Sequence, residues 1–344
     1  MAKNTYNVAV VGATGVVGSE MIRVLEERSF PIGRLVPLAS ARSLGRTVSF
    51  RGEAIPVNVL RPESFDDDVE LAFFSAGKAA SLEFVPHAVK AGTVVVDNTS
   101  AFRMEDDVPL VVPEVNPEGV AQYRTRGIIA NPNCSTIQMV VVLAPLHREA
   151  GVRRVVVDTY QSVSGAGLGA MEELSKQSVA LFSQKKCEVR AFPHRIAFNC
   201  IPHIGRFLDD GSTDEEMKLA LETPKIMGDP SIKVAATAVR VPVFCGHSEA
   251  LHIEFEDPID PDQAREVLAE APGVEVVDDP NLCRYPMASS VTGKDPVYVG
   301  RIRRDPTVEN GLALWIAADN IRKGAALNAV QIAELWAKDY AEQG

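Results

Sequence analysis

Three glycines near the start of the chain restrict its fold more than any other feature of the sequence. Gly12, Gly15 and Gly18 follow the apolar, β-branched run "YNVAVV" and precede a stretch whose apolar residues recur at helical spacing. A strand, a tight turn and a helix in this order are typical of a dinucleotide site, where backbone N–H groups approach a pyrophosphate at the helix N-terminus. An ordinary tight turn is the alternative interpretation.

The rest of the chain predicts two domains of different texture. Up to about residue 130, short apolar runs alternate with helix-like segments, which indicates a mostly parallel sheet covered on both faces. From about residue 152 the strand-like stretches lengthen, as in a mixed α+β domain. The length of 344 residues also exceeds the ~250 to 300 residues at which single cores stop growing. We expect domains at 1–133 and 134–319, with a C-terminal helix at 320–344 packed back onto the first.

Composition excludes several classes of protein. The formal net charge is −11 and no basic stripe occurs, so nucleic acid is not expected as a partner. No apolar run approaches the ~18 residues of a membrane span, and no signal peptide is apparent, which favours the cytoplasm. The cysteines are odd in number, widely spaced and never in a C-x-x-C pair, so we expect free thiols and no metal site: Cys134, Cys187, Cys200, Cys245 and Cys283.

The end of the second predicted strand indicates which dinucleotide binds. An NAD site usually places an acidic residue there for the ribose 2′-hydroxyl. Here the strand ends in "LASARS", where Ser40, Arg42 and Ser43 supply hydroxyls and a cation in place of a carboxylate. This pattern favours NADP, although a solvated polar turn would show the same residues.

Cys134 lies where the polar turn "NPNCST" leads into the apolar run "IQMVVVLAPL". If Asn133 caps a helix that begins at Cys134, the positive end of that helix would lower the pKa of the thiol and favour the thiolate. Free cysteine is also among the most buried residue types, so position alone leaves a nucleophile and a packing residue equally open.

Polar groups further along the chain favour the nucleophile. Gln161 ends a strand and is followed by the flexible loop 164–167. Arg240 shares the parity of an otherwise apolar strand face, where it needs a carboxylate partner. His247, in "CGHSE", is a candidate general base with a near-neutral pKa, whereas His252 is expected at the surface.

Motifs along nearly the whole chain resemble those of the aspartate-β-semialdehyde dehydrogenases. The matching stretches include "VVGATGVVGSEM", "VVVDNTSAFR", "NPNCSTIQMV", "TYQSVSGAG", "VRVPV", "GHSE" and "DNIRKGAALNAVQIAE". The resemblance implies a Rossmann-type NADP domain and a catalytic and dimerisation domain like that of glyceraldehyde-phosphate dehydrogenase. It also implies NADPH-dependent reduction of L-aspartyl-4-phosphate to L-aspartate 4-semialdehyde through a cysteine thioester. That step feeds the biosynthesis of lysine, diaminopimelate, threonine, methionine and isoleucine.

The resemblance also implies a role for individual residues. Cys134 would attack the acyl phosphate, His247 would handle its proton, and Gln161 would orient the carbonyl. The substrate-binding residues would be Arg240 for the α-carboxylate, Glu216 for the α-amino group, and Arg103, Lys218 and Asn133 for the departing phosphate. The expected cofactor-binding residues are Gly12, Thr14, Gly15, Val16, Val17, Ser40, Arg42, Ser43, Ser164, Gly165 and Asn320.

Two alternative functions stay open at this point. N-acetyl-γ-glutamyl-phosphate reductase performs the same chemistry on an acylated substrate. Such an enzyme would not need a carboxylate side chain to bind a free amine. A non-catalytic NADP-binding paralogue should have lost the cysteine or the histidine, and both Cys134 and His247 are present. The segment between "MEEL" and "IAFN" is shorter than in many members of the family. The resemblance therefore predicts a homodimer and leaves a tetramer open.

Overall fold

The computed structural model describes residues 5–66 and 68–339, so the outer ends of the predicted domain ranges, 1–4 and 340–344, lie outside the described residues. The chain divides into a first unit, Met1–Asn133 with Ala325–Gly344, and a second unit, Cys134–Gly324. The return to the first unit therefore comes at Ala325, not at residue 320 as predicted. The reason is that the side chain of Asn320 is hydrogen-bonded within the second unit.

The elements follow one another in the order expected for alternating and then mixed structure. The strands are β1 (Tyr6–Val11), β2 (Ile32–Ala39), β3 (Thr47–Phe50), β4 (Glu53–Pro56), β5 (Asn58–Val59), β6 (Leu71–Phe74), β7 (Val94–Asp97), β8 (Ile128–Ala130), β9 (Val152–Gln161), β10 (Lys233–Arg240), β11 (His247–Phe255), β12 (Val274–Val276), β13 (Val297–Arg304) and β14 (Gly311–Ala318). The helices are α1 (Val16–Glu27), α2 (Lys78–Lys90), α3 (Cys134–Ala150), α4 (Leu168–Phe182), α5 (Asp214–Met227), α6 (Pro261–Ala269), α7 (Ala288–Val291) and α8 (Leu327–Asp339).

The first unit contains a parallel six-stranded sheet in the order β5-β2-β1-β6-β7-β8. The strand order reverses at β1, which pairs with β2 on one side and with β6 on the other. In open sheets of this type, ligands bind beyond the carboxyl ends of the strands at such a reversal. The glycine loop directly follows β1, so the predicted dinucleotide site lies at this position.

Helix α8 completes the core of the first unit although it lies far from the rest of that unit in sequence. Leu327, Val330 and Trp336 are buried in the same apolar cluster as β1 and α1. The rings of Tyr6 and Trp336 lie 5.2 Å apart. The side-chain amide of Asn328 donates hydrogen bonds to the side-chain oxygen of Asn131 and to the backbone carbonyl oxygen of Val111. The apolar residues that recur at helical spacing in the C-terminal sequence therefore form the buried face of α8.

The second unit contains a mixed sheet in the order β10-β9-β11-β14-β13-β12. The pairs β10/β9 and β12/β13 are parallel, and the three central pairs are antiparallel. One face of the central strands is apolar and buried, in agreement with the alternation of their sequences. The predicted fold class, a Rossmann-type domain with a mixed α+β domain, is confirmed.

Helix α3 is the central helix of the second unit and is buried along nearly its whole length. It begins at Cys134, as the sequence predicted, and packs on the sheet through contacts with β9, β11, β13 and β14. Among the described residues, no helix combines the length and apolar character that crossing a membrane requires.

Candidate active site

Cys134 is the first residue of α3 and is partly accessible, unlike the helix behind it. Its position at the N-terminus exposes the sulfur to the positive end of the helix dipole, which favours the thiolate. Gly324 lies directly against it: a Cβ on Gly324 would come within 2.9 Å of the Cβ of Cys134. Cys134 is therefore packed closely from one side by the backbone of a residue that has no side chain.

Arg240 is the last residue of β10 and is buried on the apolar face, as its parity predicted. Its Nη1 donates to the carbonyl oxygen of Ser162 at 2.7 Å. Burial lowers the pKa of the guanidinium, and the negative charges of Glu215 and Cys134 act in the opposite direction. Arg240 therefore lies within electrostatic range of Cys134 and can bind an anionic ligand group there.

His247, the first residue of β11, is completely buried, and its pKa differs from the near-neutral value predicted. Burial, followed by the charge of Arg240, lowers the pKa to about 3, and Glu215 opposes this shift. The backbone N–H of Ser162 donates to Nδ1 at 3.1 Å, so Nδ1 is an acceptor and the neutral ring carries its hydrogen on Nε2. His247 is thus a neutral N–H donor in this geometry, not a base poised near pH 7.

Gln161 and Glu215 are hydrogen-bonded polar side chains of the same unit. Gln161, at the end of β9, donates from Nε2 to Glu215 Oε1 at 3.2 Å and to Thr159 Oγ1 at 3.3 Å. Lys218 donates from Nζ to Glu215 Oε2 at 2.7 Å. The second unit therefore brings together the predicted residues Gln161 and Lys218 around a carboxylate that the sequence interpretation did not select.

Glu216, predicted to meet a substrate amine, is engaged by the backbone in this structure. Both of its carboxylate oxygens accept hydrogen bonds from backbone, one from the N–H of Thr213 at 2.7 Å and one from Ala238 at 3.0 Å. Thr213 and Glu216 form the capping box of α5, which leaves the neighbouring Glu215 to face the site. The T-x-x-E spacing in the sequence was the signal that could have separated the two glutamates.

Asn320 and Ser164 support the histidine. The amide oxygen of Asn320 accepts from the N–H of Gly246 at 2.9 Å, and its nitrogen donates to the hydroxyl of Ser164 at 3.0 Å. A Cβ on Gly165 would lie 3.0 Å from Arg240 Nη1 and 3.4 Å from His247 Nε2. The loop 164–167 therefore approaches both groups closely because residue 165 has no side chain.

The glycine loop of the first unit fits a dinucleotide phosphate. Gly12 has φ +88°, and a Cβ there would lie 2.7 Å from the carbonyl oxygen of Ser75. A Cβ on Gly18 would lie 2.1 Å from the oxygen of Gly12, so helix and loop meet only without side chains. Gly15 caps α1 without a side-chain bond, which makes the first N–H groups of the helix, from Val16 onward, available to an anion.

The loop after β2 lies next to this turn. The hydroxyls of Thr14 and Ser43 are 2.9 Å apart, which joins the two segments of the predicted cofactor site. Ser40 and Arg42 are exposed, and no acidic residue stands in the run 39–43. This arrangement suits the 2′-phosphate of NADP, whereas a carboxylate would repel it.

The remaining predicted phosphate ligands, Arg103 and Asn133, belong to the first unit and are buried there. Arg103 donates to the carbonyl oxygens of Asn131 and Asn98, at 2.9 and 3.2 Å. These bonds hold the guanidinium in a fixed orientation. His252, predicted at the surface, is exposed and lies 3.0 Å from a carboxylate oxygen of Asp305.

Comparison with known proteins gives a consistent result over nearly the whole chain. Residues 7–123 match the family model "Semialdehyde dehydrogenase, NAD binding domain", and residues 143–323 match "Semialdehyde dehydrogenase, dimerisation domain". The aspartate-semialdehyde dehydrogenase of Aquifex aeolicus is 55% identical over 335 residues, which cover 97% of this chain and 98% of that protein.

Solved structures agree with these matches. Aspartate semialdehyde dehydrogenase II from Vibrio cholerae, complexed with ASA, has a TM-score of 0.95 at 50% identity, covering 98% of this chain and 100% of that one. The enzyme from Candida albicans with NADP has a TM-score of 0.74 at 26% identity, covering 96% and 98%. The chain therefore belongs to the aspartate-semialdehyde dehydrogenase family, as its motifs predicted.

Proposed function

We propose that this protein reduces L-aspartyl-4-phosphate with NADPH to L-aspartate 4-semialdehyde and phosphate, the activity that the names of its relatives describe. The observation that carries the proposal is that a buried cation, Arg240, and a buried carboxylate, Glu215, influence each other electrostatically near a cysteine at a helix N-terminus. A substrate with both an α-carboxylate and a free α-amine matches these two charges.

Cys134 supplies the nucleophile. Its thiolate, stabilised by the start of α3 and by the charge of Arg240, attacks the carbonyl carbon of the acyl phosphate. The carbon–oxygen bond to phosphate then breaks, phosphate leaves with the electron pair, and a thioester remains on the sulfur. Lys218 and Arg103 are the cations proposed to neutralise the leaving group.

His247 and Gln161 stabilise the oxygen of the reacting carbonyl. Because the Nδ1 of His247 accepts the N–H of Ser162, its Nε2–H is the group that can donate to a developing oxyanion. Gln161 carries a second donor on its amide nitrogen. After reduction of the thioester carbon, collapse of the tetrahedral alkoxide expels the Cys134 thiolate and releases the aldehyde.

The first unit is proposed to hold the cofactor, and the second to carry out catalysis and dimerisation. NADPH, when bound, supplies the hydride for the thioester carbon. The N–H groups of the first turn of α1, from Val16 onward, would hold the pyrophosphate, and Arg42 with Ser40 would hold the 2′-phosphate. From the resemblance of the motifs, Asn320 and Gly165 of the second unit are also proposed as cofactor-binding residues.

Recognition of the α-amine decides between aspartyl phosphate and its acylated analogue. Glu215, which already accepts from Lys218, presents a carboxylate that a substrate ammonium group can also bind, whereas an N-acetyl group carries no positive charge for it. The geometry therefore favours the free amino acid, and N-acetyl-γ-glutamyl phosphate is the substrate expected to fail.

A homodimer is proposed through the outer face of the second sheet. The ring centroids of Tyr160 and Trp315 lie 5.3 Å apart there, beside a cavity of about 470 Å³ lined by Tyr285 and Met287, among other residues. Exposed apolar side chains of this kind suit contact with a second copy of the chain, in line with the dimerisation model that residues 143–323 match. The five free cysteines suit the cytoplasm, where we propose that the enzyme works.

The test is phosphate-dependent formation of NADPH from aspartate semialdehyde and NADP, compared with N-acetylglutamate semialdehyde and with NAD. We expect turnover with the first pair and little with the others.

Cys134→Ser should bind NADPH but lose turnover by several orders of magnitude, since an alcohol is a far poorer nucleophile at neutral pH. Cys200→Ser, at an exposed cysteine, is the matched control and should stay active. No turnover in the wild type, or turnover in Cys134→Ser, would overturn the proposal.

A further inference from the structure

A fully buried carboxyl group, Glu249, lies behind the nucleophile and has no part in the reaction described above. It is on β11, two positions after His247, and both side chains point to the same covered face of the sheet. Helix α3 packs on this face, and Ser135 and Gln138 from its first turns are the polar side chains next to the carboxyl. Glu249 therefore lies under the turn that begins with Cys134.

Among the described residues, burial and the side chains of Gln138 and Ser135 are the influences on the pKa of this carboxyl, and neither side chain carries a charge. Its neighbours in the sheet, in register, are Thr159 on β9 and Ile316 on β14, which are uncharged. On α3, Ser135 and Gln138 are also uncharged. The titratable groups facing it from its own strand and from α3 are thus His247, which is neutral, and Cys134. Neither carboxyl oxygen has a well-formed hydrogen bond among the described residues.

A carboxylate in this environment would be costly. An ionised group out of water requires a cation or several hydrogen bonds, and a neutral acid requires far less. Burial accordingly raises the pKa of Glu249 well above its ordinary value, although the Gln138 and Ser135 side chains oppose the shift. A neutral carboxylic acid also has an O–H donor, so it is complementary to the primary amide of Gln138, which both donates and accepts.

We propose that Glu249 is a positioning residue for Cys134: it stays a neutral carboxylic acid in the folded protein and, with Gln138, anchors the first turns of α3 to β11. The inference rests on the proposed function only for the role of Cys134. Neutrality matters for that role, because an anion behind the thiol would raise the thiol pKa and reduce the fraction of thiolate. The acid thus supports the helix start without opposing the charge that develops on sulfur.

The pH dependence of stability tests the protonation state without any substrate. In the unfolded chain Glu249 loses its proton near pH 4.3, roughly, and in the folded chain only at its raised pKa. Between these values the folded state binds one more proton, so wild-type stability falls as the pH rises through the window, by about tenfold in the folding constant per pH unit. Glu249→Gln lacks this proton and should gain stability over the wild type across the same window.

A constant difference between the two proteins, or a gain for the wild type with rising pH, would show an ionised carboxylate and overturn the proposal. Infrared spectroscopy gives an independent readout on the wild type alone. The carbonyl band of a buried protonated carboxyl should be present at neutral pH and missing in Glu249→Gln. Absence of this band from the wild type would likewise show an ionised carboxylate and overturn the proposal.

The positioning role is tested at Cys134 by the pH dependence of alkylation with iodoacetamide. Glu249→Gln, the conservative variant, should keep the wild-type thiol pKa and alkylate within about twofold of the wild-type rate. Glu249→Leu and Gln138→Leu should bind NADPH normally but alkylate and turn over more slowly.

A thiol pKa lowered by about one unit in Glu249→Gln would show that an anion had been removed. Unchanged alkylation in both leucine variants would show that the pair does not position Cys134. Wild-type alkylation without any aspartate semialdehyde activity would contradict the proposed function but not this inference.

Discussion

At the scale of single residues, the site depends on which of two adjacent glutamates faces inward. Both follow Thr213 at the start of α5, and both are acidic residues in a first helical turn, where the dipole favours them. Glu216 is bound by the backbone of Thr213 and Ala238, so only Glu215 is left to contact Gln161 and Lys218. Neighbouring identical side chains therefore have separate roles, one in helix capping and one in the site.

This difference predicts opposite outcomes for two matched substitutions. Glu215→Gln removes the carboxylate proposed to pair with the substrate amine, and we expect kcat/KM to fall about a hundredfold, mainly through KM. Glu216→Gln keeps a side chain that serves a capping box and should change kcat/KM little, with a loss of about 1 kcal/mol in unfolding free energy for one weakened bond. Steady-state kinetics and denaturant unfolding measure both effects. If Glu216→Gln instead lowered kcat/KM more than Glu215→Gln, Glu216 would be the residue that binds the substrate amine.

At the scale of elements, the start of α3 is set by a second segment that passes against it. Residues Arg322–Ala326 form one turn of π-helix, a wider geometry that often occurs at functional sites. Gly324 in that turn donates its N–H to the carbonyl oxygen of Asp319 at 3.1 Å and touches Cys134 with its Cα side. Cys134 thus lies between its own helix and this turn.

We predict that Gly324→Ala displaces Cys134. The added methyl group would lie 2.9 Å from its Cβ and 3.3 Å from its Cα, and such overpacking costs about 1 to 3 kcal/mol. Alkylation of Cys134 and kcat should both decrease, and NADPH binding should change less. The control is Gly169→Ala, where the Cβ meets nothing within 4 Å and a helical position favours alanine. Equal activity in the two variants would mean that the π-turn does not constrain the cysteine.

At the scale of the whole molecule, the first unit is assembled from two distant segments of the chain and the second from one continuous segment. The first unit needs α8, from the other end of the chain, to cover its core, and the second places its sheet between α3 on one face and exposed aromatic residues on the other. The exposed face is the part of the second unit that a partner copy is proposed to cover.

The dimer predicts different effects for two equally exposed methionines. Met287, on the proposed interface, is 49% exposed, and Met104, in the first unit, is 48% exposed. Met287→Asp should shift sedimentation toward the monomer because it places a charge in an apolar interface, whereas Met104→Asp should leave the dimer intact. A wild type that sediments as a monomer, or dissociation only in Met104→Asp, would rule out this interface.

Much of the fold was predictable because its signals are local. The glycine loop, the alternation of runs in the first domain and the start of α3 at Cys134 each depend on residues within one short stretch. The parity of β10 likewise placed Arg240 on the buried face. The spacing of side chains along a strand or helix determines such features, so reading the chain alone was sufficient for them.

Other features were decided by segments that meet only in the folded chain. The pKa of His247 depends on its burial and on Arg240, and its tautomer depends on the backbone of Ser162. The carboxyl of Glu249 becomes unusual only when α3 covers it. By itself the sequence determined the two kinds of sheet, the nucleotide loop and the place of Cys134 at the start of a helix. Only the tertiary structure decided which glutamate faces the site and which groups carry charge, because solvation and electrostatic interaction depend on distances across the fold.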